Sequence, residues 1–154
     1  MRLIAAVAAA AGLAACGLAP SASSTIPDVT LPTLSGAQAS LRACATSQCV
    51  IAYVAPWCPH CRATTAGILE LRDLLWKKGV LLRVVVGMDQ PAALRDYAKS
   101  FGPNTMLDAD KRFQVSGVPH FFVTDAQGRL SNDFAGTPHD NATGEELGRA
   151  FGLL

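Results

Sequence analysis

The sequence predicts an α/β domain built on a central mixed sheet, with helices on both faces and a β-hairpin added at the N-terminus. Two apolar runs, residues 50–55 and 80–86, are typical of strands that are buried on both faces. Apolar residues at helical spacing follow each run, and two further strand-like segments flank a turn near the C-terminus. Strands that alternate with helices favour a sheet that helices cover on both faces.

The first 15 of the 154 residues predict a signal peptide. Residues 3–15 are apolar and rich in alanine, but they are too few to span a bilayer. The segment ends in Leu-Ala-Ala-Cys, which resembles the lipobox of bacterial lipoproteins. We therefore expect Cys16 to be acylated and the protein to be periplasmic and lipid-anchored, to the outer membrane in a Gram-negative cell. The alternative is an ordinary secretory signal with a chance cysteine at this position.

Residues 16–27 have the small, polar and proline-containing composition of a flexible tether, which leaves residues 28–154 for the folded domain. The whole chain has 13 Lys and Arg against 12 Asp and Glu, and removal of the signal peptide takes away Arg2 alone. The mature chain is then formally neutral. Neutrality predicts no basic face, so it argues against nucleic acid and against an anionic lipid surface as partners.

Residues 28–34 and 38–41 flank a Ser-Gly turn and predict the N-terminal hairpin. Cys44 and Cys49 follow it, immediately before the central strand. With Cys16 blocked, four thiols remain, an even number in an exported protein, so we expect Cys44 and Cys49 to form a structural disulfide. A second redox pair that exchanges with the central motif is the alternative, although nothing in the sequence around Cys44 would activate its thiol.

A Cys-Pro-His-Cys motif stands where the central strand gives way to a helix. At a helix N-terminus the free N–H groups and the helix dipole stabilise a thiolate, and His60 would add to that field. Cys58 is the predicted nucleophile on a substrate disulfide, and Cys61 the thiol that releases the mixed disulfide. Half of a zinc site and a purely structural disulfide are the alternatives, and no second Cys-x-x-Cys is present to complete a zinc site.

The helix after the motif should run to Lys78 and stop at Gly79, with Gly67 as an internal weak point. A second helix should begin at Pro91 and end before Gly102. Its predicted buried face consists of Leu94, Tyr97, Ala98 and Phe101.

Residues 105–107 predict a short strand, and residues 108–115 a turn or a single helical stretch. Residues 120–124 and 129–134 predict the closing hairpin. Thr143 and Glu146 have the spacing of a capping box at the start of a terminal helix. The residues that this helix should bury are Leu147, Ala150 and Phe151.

The strand, the Ala-Pro-Trp-Cys approach, the Cys-x-x-Cys motif and the distant Gly-Val-Pro of residues 117–119 together resemble the thioredoxin-like superfamily. They are most similar to its membrane-associated TlpA-like branch, while the Pro-His dipeptide is similar to that of the periplasmic oxidase DsbA. Over residues 28–154 the resemblance implies a thioredoxin-like fold with an N-terminal hairpin extension. It also implies a thiol–disulfide oxidoreductase that needs no separate cofactor and no metal.

The same resemblance implies a substrate groove. The family keeps a cis-proline opposite the active-site disulfide, so Val118 and Pro119 would face it and leave the Val118 backbone free to pair with an extended substrate. A trans proline that begins an edge strand is the alternative. Trp57 would shield the disulfide and offer a surface to substrate, although a packed tryptophan has the same sequence signature.

One position departs from the family pattern. Thioredoxin and DsbA carry a buried acid six residues before the first active-site cysteine, where this chain has Ala52. Without that acid, water or another residue must take the proton of Cys61. His120 directly follows the proline, and a cluster of His60, His120, Cys58 and Cys61 would suit zinc or copper.

The function predicted is a periplasmic, membrane-anchored thiol–disulfide oxidoreductase that exchanges disulfides with exported proteins through Cys58 and Cys61 and is served by a membrane redox partner. The Pro-His dipeptide favours oxidation or shuffling, because a stabilised thiolate makes the pair a stronger oxidant. The TlpA-like frame favours reduction of apocytochrome c or of copper-site thiols. A metal-binding module on the same fold is the non-enzymatic alternative.

Overall fold

The structure is a computed structural model that describes residues 24–154. The predicted signal peptide, Cys16 and residues 16–23 of the predicted tether lie outside the described residues. Within residues 24–154, no helix is both long enough and apolar enough to cross a membrane.

The described chain forms seven strands and four helices. The strands are β1 (Thr30–Pro32), β2 (Gln38–Ser40), β3 (Gln48–Val54), β4 (Leu81–Gly87), β5 (Met106–Asp108), β6 (His120–Asp125) and β7 (Leu130–Ala135). The helices are α1 (Pro59–Ala63), α2 (Thr65–Lys77), α3 (Pro91–Ala98) and α4 (Gly144–Ala150).

Five strands form one mixed sheet in the order β5-β4-β3-β6-β7, and β1 and β2 form a separate antiparallel hairpin. β4 runs parallel to β3 and to β5, whereas β6 is antiparallel to both β3 and β7. The central strand β3 is almost wholly buried because it has a partner on each side and packed layers above and below. The predicted mixed sheet and N-terminal hairpin are confirmed.

The two faces of the sheet are covered differently. One face carries Ala52 and Val54 of β3 and packs against the buried side chains of all the helices. The other face carries Ile51 and Tyr53 and is covered by apolar residues of the hairpin and of the loops. These covering residues are Ile26, Leu31, Leu41 and Phe113.

The prediction of helices on both faces is therefore wrong in that detail. The chain steps from β3 to β4 through α2 and from β4 to β5 through α3, always towards the same edge. Right-handed crossovers that step in one direction put both helices on the same face. Alternation of strands and helices in the sequence does not reveal the direction of each step.

The folded domain begins earlier than residue 28. The Leu130 amide donates to the Ser24 carbonyl at 2.8 Å, and the Ile26 amide donates to the Gly128 carbonyl at 3.0 Å. The Ile26 side chain is 4% exposed. The predicted tether thus extends too far in the C-terminal direction, because Ile26, near its C-terminal end, is buried against the sheet.

The single helix predicted after the motif is divided at Thr64, which is fully buried. Its hydroxyl donates to the His60 carbonyl at 2.7 Å, a local bond of the kind that bends helices. Gly67 is a close-packed position rather than a weak point, since a Cβ atom there would overlap the carbonyl oxygen of Ala142. The helix ends as predicted, at Gly79, which adopts a positive φ of 72°.

Residues 108–115 form no helix. Asp108 is fully buried, and its carboxylate accepts from the backbone amides of Arg112 at 2.7 Å and Phe113 at 3.0 Å, so the side chain shapes a loop. The terminal helix begins with the predicted capping box. Its buried face includes Gly148 instead of the predicted Ala150, which is exposed.

Candidate redox site

Cys58 stands between the end of β3 and the start of α1, where it is the N-cap residue. Its Sγ atom accepts a hydrogen bond from the backbone amide of Cys61 at 3.2 Å. An N-cap side chain normally satisfies one of the free amides of the first turn, and here the capping atom is sulfur.

The two thiols of the motif differ in their surroundings. Cys61 is 0% exposed and Cys58 is 2% exposed, and both are free thiols. Burial first, and then the hydrogen bond with Cys58, raise the pKa of the Cys61 thiol far above its ordinary value. Cys61 is therefore held as a neutral thiol.

The start of β6 faces this cysteine. The Cys58 thiol lies 3.5 Å from the carbonyl oxygen of Val118, and the peptide bond between Val118 and Pro119 is cis. The Pro119 carbonyl accepts from the Gly136 amide at 2.8 Å. Val118 itself is half-buried.

Trp57 lies at the surface next to the motif. Its side chain is 56% exposed, and its Nε1–H donates to the Met88 carbonyl at 2.9 Å. The hydrogen bond fixes the indole while a large part of the ring remains accessible to another molecule.

His60 is exposed and has a partner that the sequence did not reveal. Its Nδ1 lies 2.5 Å from an Oδ1 of Asp140, with exposed fractions of 65% and 53% for the two side chains. An exposed ion pair of this kind contributes less than about 1 kcal/mol. Asp140 precedes α4 and lies 80 positions away in the sequence, and no spacing rule would have connected the two residues.

His120 does not join the site. Its Nε2 lies 3.0 Å from an Oδ2 of Asp133, and its ring stacks on Phe122 with centroids 4.2 Å apart. Phe122 belongs to the face of the sheet opposite the one that holds Cys58. Side chains alternate between faces along a strand, so the residue directly after Pro119 need not point towards the cysteines.

The zinc or copper cluster of the alternative interpretation is therefore not assembled. In the part of the chain that the structure describes, no group of three or more His, Cys, Asp and Glu side chains is arranged to hold a metal ion. Ala52 is fully buried in the same cluster as Cys58 and Cys61, so a methyl group stands where related proteins carry an acid.

Cys44 and Cys49 are joined by a disulfide. Cys49 lies near the start of β3, whereas Cys58 follows the end of that strand. A strand rises about 3.3 Å per residue, so β3 separates the two cysteine pairs by roughly 20 Å. That distance excludes direct exchange between the pairs within one molecule.

A hydrogen-bonded network behind the motif was not predicted from the sequence. The Tyr97 hydroxyl lies 2.9 Å from Thr65 Oγ1, which donates to the Cys61 carbonyl at 3.0 Å. The Arg62 guanidinium lies 5.3 Å from the centre of the Tyr97 ring, and its Nε donates to the Pro56 carbonyl at 2.6 Å. The sequence marked Tyr97 only as a core residue and gave no signal for the other two side chains.

Comparison with known proteins gives one family match. The model of the family described as Redoxin matches residues 21–151. No curated protein matches the sequence.

Solved structures give many matches. A secreted disulfide oxidoreductase of Mycobacterium tuberculosis is 21% identical, with a TM-score of 0.65 over 82% of this chain and 96% of that one. The pneumococcal exposed lipoprotein thioredoxin of Streptococcus pneumoniae is 16% identical, with a TM-score of 0.65 over 83% of this chain and 100% of that one. A thiol:disulfide interchange protein of Chlorobium tepidum is 19% identical, with a TM-score of 0.62 over 86% and 99%. These likenesses confirm the thioredoxin-like fold.

Proposed function

Because the chain belongs to the Redoxin family and is a thiol–disulfide oxidoreductase of the thioredoxin type, we propose that it exchanges disulfides with exported proteins while anchored to a membrane. The observation that carries the proposal is the site of Cys58, an N-cap thiol that contacts both the Cys61 amide and the Val118 carbonyl. Cys58 acts as the nucleophile and Cys61 as the resolving thiol. The finer assignment is to the TlpA-like branch, with a DsbA-like Pro-His motif.

In the oxidising direction the reaction is a pair of thiol–disulfide exchanges. A substrate thiolate attacks the Cys58 sulfur of the oxidised pair, and Cys61 leaves as a thiolate that takes up a proton. A second substrate thiolate then attacks the substrate sulfur of the mixed disulfide, and Cys58 leaves as a thiolate. Two electrons pass from the substrate to the cysteine pair, and reduction of a substrate is the same sequence in reverse.

Val118, Pro119 and Trp57 form the substrate groove in this proposal. Among residues 24–154 no acceptor pairs with the Val118 amide, and the Val118 carbonyl faces the reactive thiol. The amide is free to bond to an extended substrate segment, as in strand addition, and the carbonyl lies next to it. The exposed indole of Trp57 supplies an apolar contact beside them.

The location of the enzyme is proposed from the N-terminal sequence. A lipobox-like junction at Cys16 supports a lipid anchor on an exported protein. The structurally similar Streptococcus pneumoniae protein is described as an exposed lipoprotein thioredoxin, and the Mycobacterium tuberculosis protein as secreted. Since Ser24 already pairs with the domain, the tether comprises at most residues 16–23, and the active site works close to the membrane.

Reduction of apocytochrome c or copper-site thiols is the second candidate, and the Asp140 carboxylate favours it. The expected oxidising character rests on a positive field from His60 near the Cys58 thiolate. Asp140 lies against His60 and opposes that field. A weaker field leaves the reduced form less stabilised, which lowers the reduction potential towards that of a reductant.

Trapping in cells tests the proposed substrates. Cys61→Ala removes the resolving thiol, so mixed disulfides at Cys58 accumulate and can be isolated with the protein. We expect exported proteins among them, released by dithiothreitol and absent from the Cys58→Ala, Cys61→Ala control. The redox state of the same partners in a strain that lacks the protein gives the direction of exchange. Partners that accumulate as free thiols indicate an oxidase, and partners that accumulate as disulfides indicate a reductase. Equal capture by both variants contradicts the proposal.

Mass spectrometry of the mature N-terminus tests the anchor. A fatty acid on Cys16 and its loss in Cys16→Ser are expected. Wild-type protein recovered wholly in the soluble fraction without acylation excludes the anchor and leaves the exchange activity untouched.

A further inference from the structure

Cys61 is a buried thiol with no acid beneath it. It is 0% exposed, and the residue six positions before Cys58, where thioredoxin and DsbA carry an acid, is the fully buried Ala52. Burial raises the pKa of the Cys61 thiol, so the attack that resolves a mixed disulfide begins from an unfavourable protonation state. The geometry that presents Cys61 to Cys58 is therefore important for that step.

A hydrogen-bonded chain from α3 reaches the backbone of Cys61. Thr65 is the first residue of α2, and its single hydroxyl proton is given to the Cys61 carbonyl at 3.0 Å. Its oxygen must then accept the proton of the Tyr97 hydroxyl, 2.9 Å away. The chain runs from Tyr97 through Thr65 to Cys61, and it fixes the turn between α1 and α2.

The phenol is suited to act only as a donor. Burial raises the pKa of Tyr97 to about 12. At neutral pH the hydroxyl therefore keeps its proton and its direction in the chain.

Arg62 ties the same ring to the other side of the motif. Its guanidinium lies over the Tyr97 ring, and its Nε donates to the carbonyl of Pro56, two residues before Cys58. A cation over an aromatic face and a charged donor on a carbonyl are both favourable contacts. Tyr97 thus contacts, through two neighbours, the segments on both sides of the cysteine pair.

We propose that Tyr97 is a positioning residue for the resolving step: through Thr65 it holds Cys61 in line with the disulfide between Cys58 and the substrate. The inference rests on the proposed function, because it concerns a step of the same exchange. In that step the Cys61 thiol loses its proton to water and its sulfur attacks the Cys58 sulfur. The Cys58–Cys61 disulfide forms, the bond from Cys58 to the substrate sulfur breaks, and the substrate leaves as a thiolate.

Reaction with dithiobis(nitrobenzoate) separates the two chemical steps. Attack by Cys58 on the reagent releases one coloured nitrothiolate, and attack by Cys61 on the resulting mixed disulfide releases a second. Every protein carries Cys16→Ser, so that residue 16 does not react, and the disulfide between Cys44 and Cys49 is left oxidised. Stopped-flow absorbance then gives one rate for each cysteine.

Tyr97→Phe should slow the second release by about three- to tenfold, the value of one lost hydrogen bond, and leave the first within about twofold. Thr65→Val should behave alike, and Thr65→Ser should restore the second rate because it keeps the hydroxyl. The double variant Tyr97→Phe, Thr65→Val should be no slower than either single variant, since both break one chain.

Tyr53→Phe is the matched control. It removes another buried phenol hydroxyl, which donates to Asp108 on the opposite face of the sheet. Per mole of folded protein, it should leave the rates of both nitrothiolate releases unchanged. Equal slowing of both releases by Tyr97→Phe, no slowing at all, or the same effect from Tyr53→Phe overturns the inference. A wild-type protein that releases only one equivalent overturns the proposed function as well.

Discussion

The Cys58 thiol lies 3.5 Å from the Val118 carbonyl, although the two residues are 60 positions apart in the chain. β3 ends at Val54, four residues before the cysteine, β6 begins immediately after Pro119, and the two strands are antiparallel neighbours. Their pairing places the C-terminal end of β3 beside the N-terminal end of β6. In the proposed groove, a substrate segment that pairs with Val118 would therefore lie next to Cys58.

Trp57→Ala should weaken substrate binding without changing the chemistry of the cysteines. The side chain is 56% exposed beside the motif, and loss of an aromatic contact of this kind is worth about three- to tenfold in KM for a peptide disulfide. Steady-state kinetics with such a peptide measure the effect, and kcat should change little. Trp57→Phe keeps an aromatic ring but loses the hydrogen bond to the Met88 carbonyl. Its KM should therefore lie between those of the wild-type protein and Trp57→Ala. An unchanged KM in Trp57→Ala would remove the indole from the groove.

The double variant Cys44→Ser, Cys49→Ser should lose stability and keep activity. The disulfide closes a short loop, for which about 2 kcal/mol of unfolding free energy is expected. The loop lies at the opposite end of β3 from Cys58, so exchange with a peptide disulfide should remain near the wild-type rate. Denaturant titration and the exchange assay, both well below the new melting temperature, give the two quantities. Loss of exchange in a folded double variant would favour a redox role for this pair.

The Asp140 carboxylate should lower the reduction potential of the pair. In a His60→Asn background, Asp140→Asn removes a negative charge near the Cys58 thiolate, stabilises the reduced form and should raise the potential by about 5 to 20 mV. Glutathione redox titration measures the shift. Asp73→Asn in the same background is the control. It removes the same charge from a carboxylate that pairs with Arg72 on α2 and not with His60. A shift of equal size in the control would mean that only net charge matters.

The central strand and the motif were predictable because they depend on local pattern. A continuous apolar run gives β3, and the residue types around Cys58 place it at a helix start. The capping box of Thr143 and Glu146 is likewise a contiguous signal.

The side chains around the motif could not be predicted from pattern, because each contact joins distant segments. His60 meets Asp140, and Tyr97 meets Thr65, through the tertiary packing of helices and loops. The alternative metal cluster included His120 because of its position in the sequence, but the alternation of β6 turns it to the other face. The face on which α3 packs depends on the direction of a crossover, which the order of elements alone does not give.

The most direct test of the account is a single-turnover reaction of the reduced protein with a peptide disulfide, followed by mass spectrometry of the acid-quenched products. The wild-type protein should end as a Cys58–Cys61 disulfide with the peptide reduced, and Cys61→Ala should stop as a stable adduct of the peptide on Cys58. Cys58→Ala should form no adduct at a comparable rate. Exchange that persists in Cys58→Ala, or an adduct on Cys61 in the wild-type protein, would contradict the assignment of Cys58 as the nucleophile.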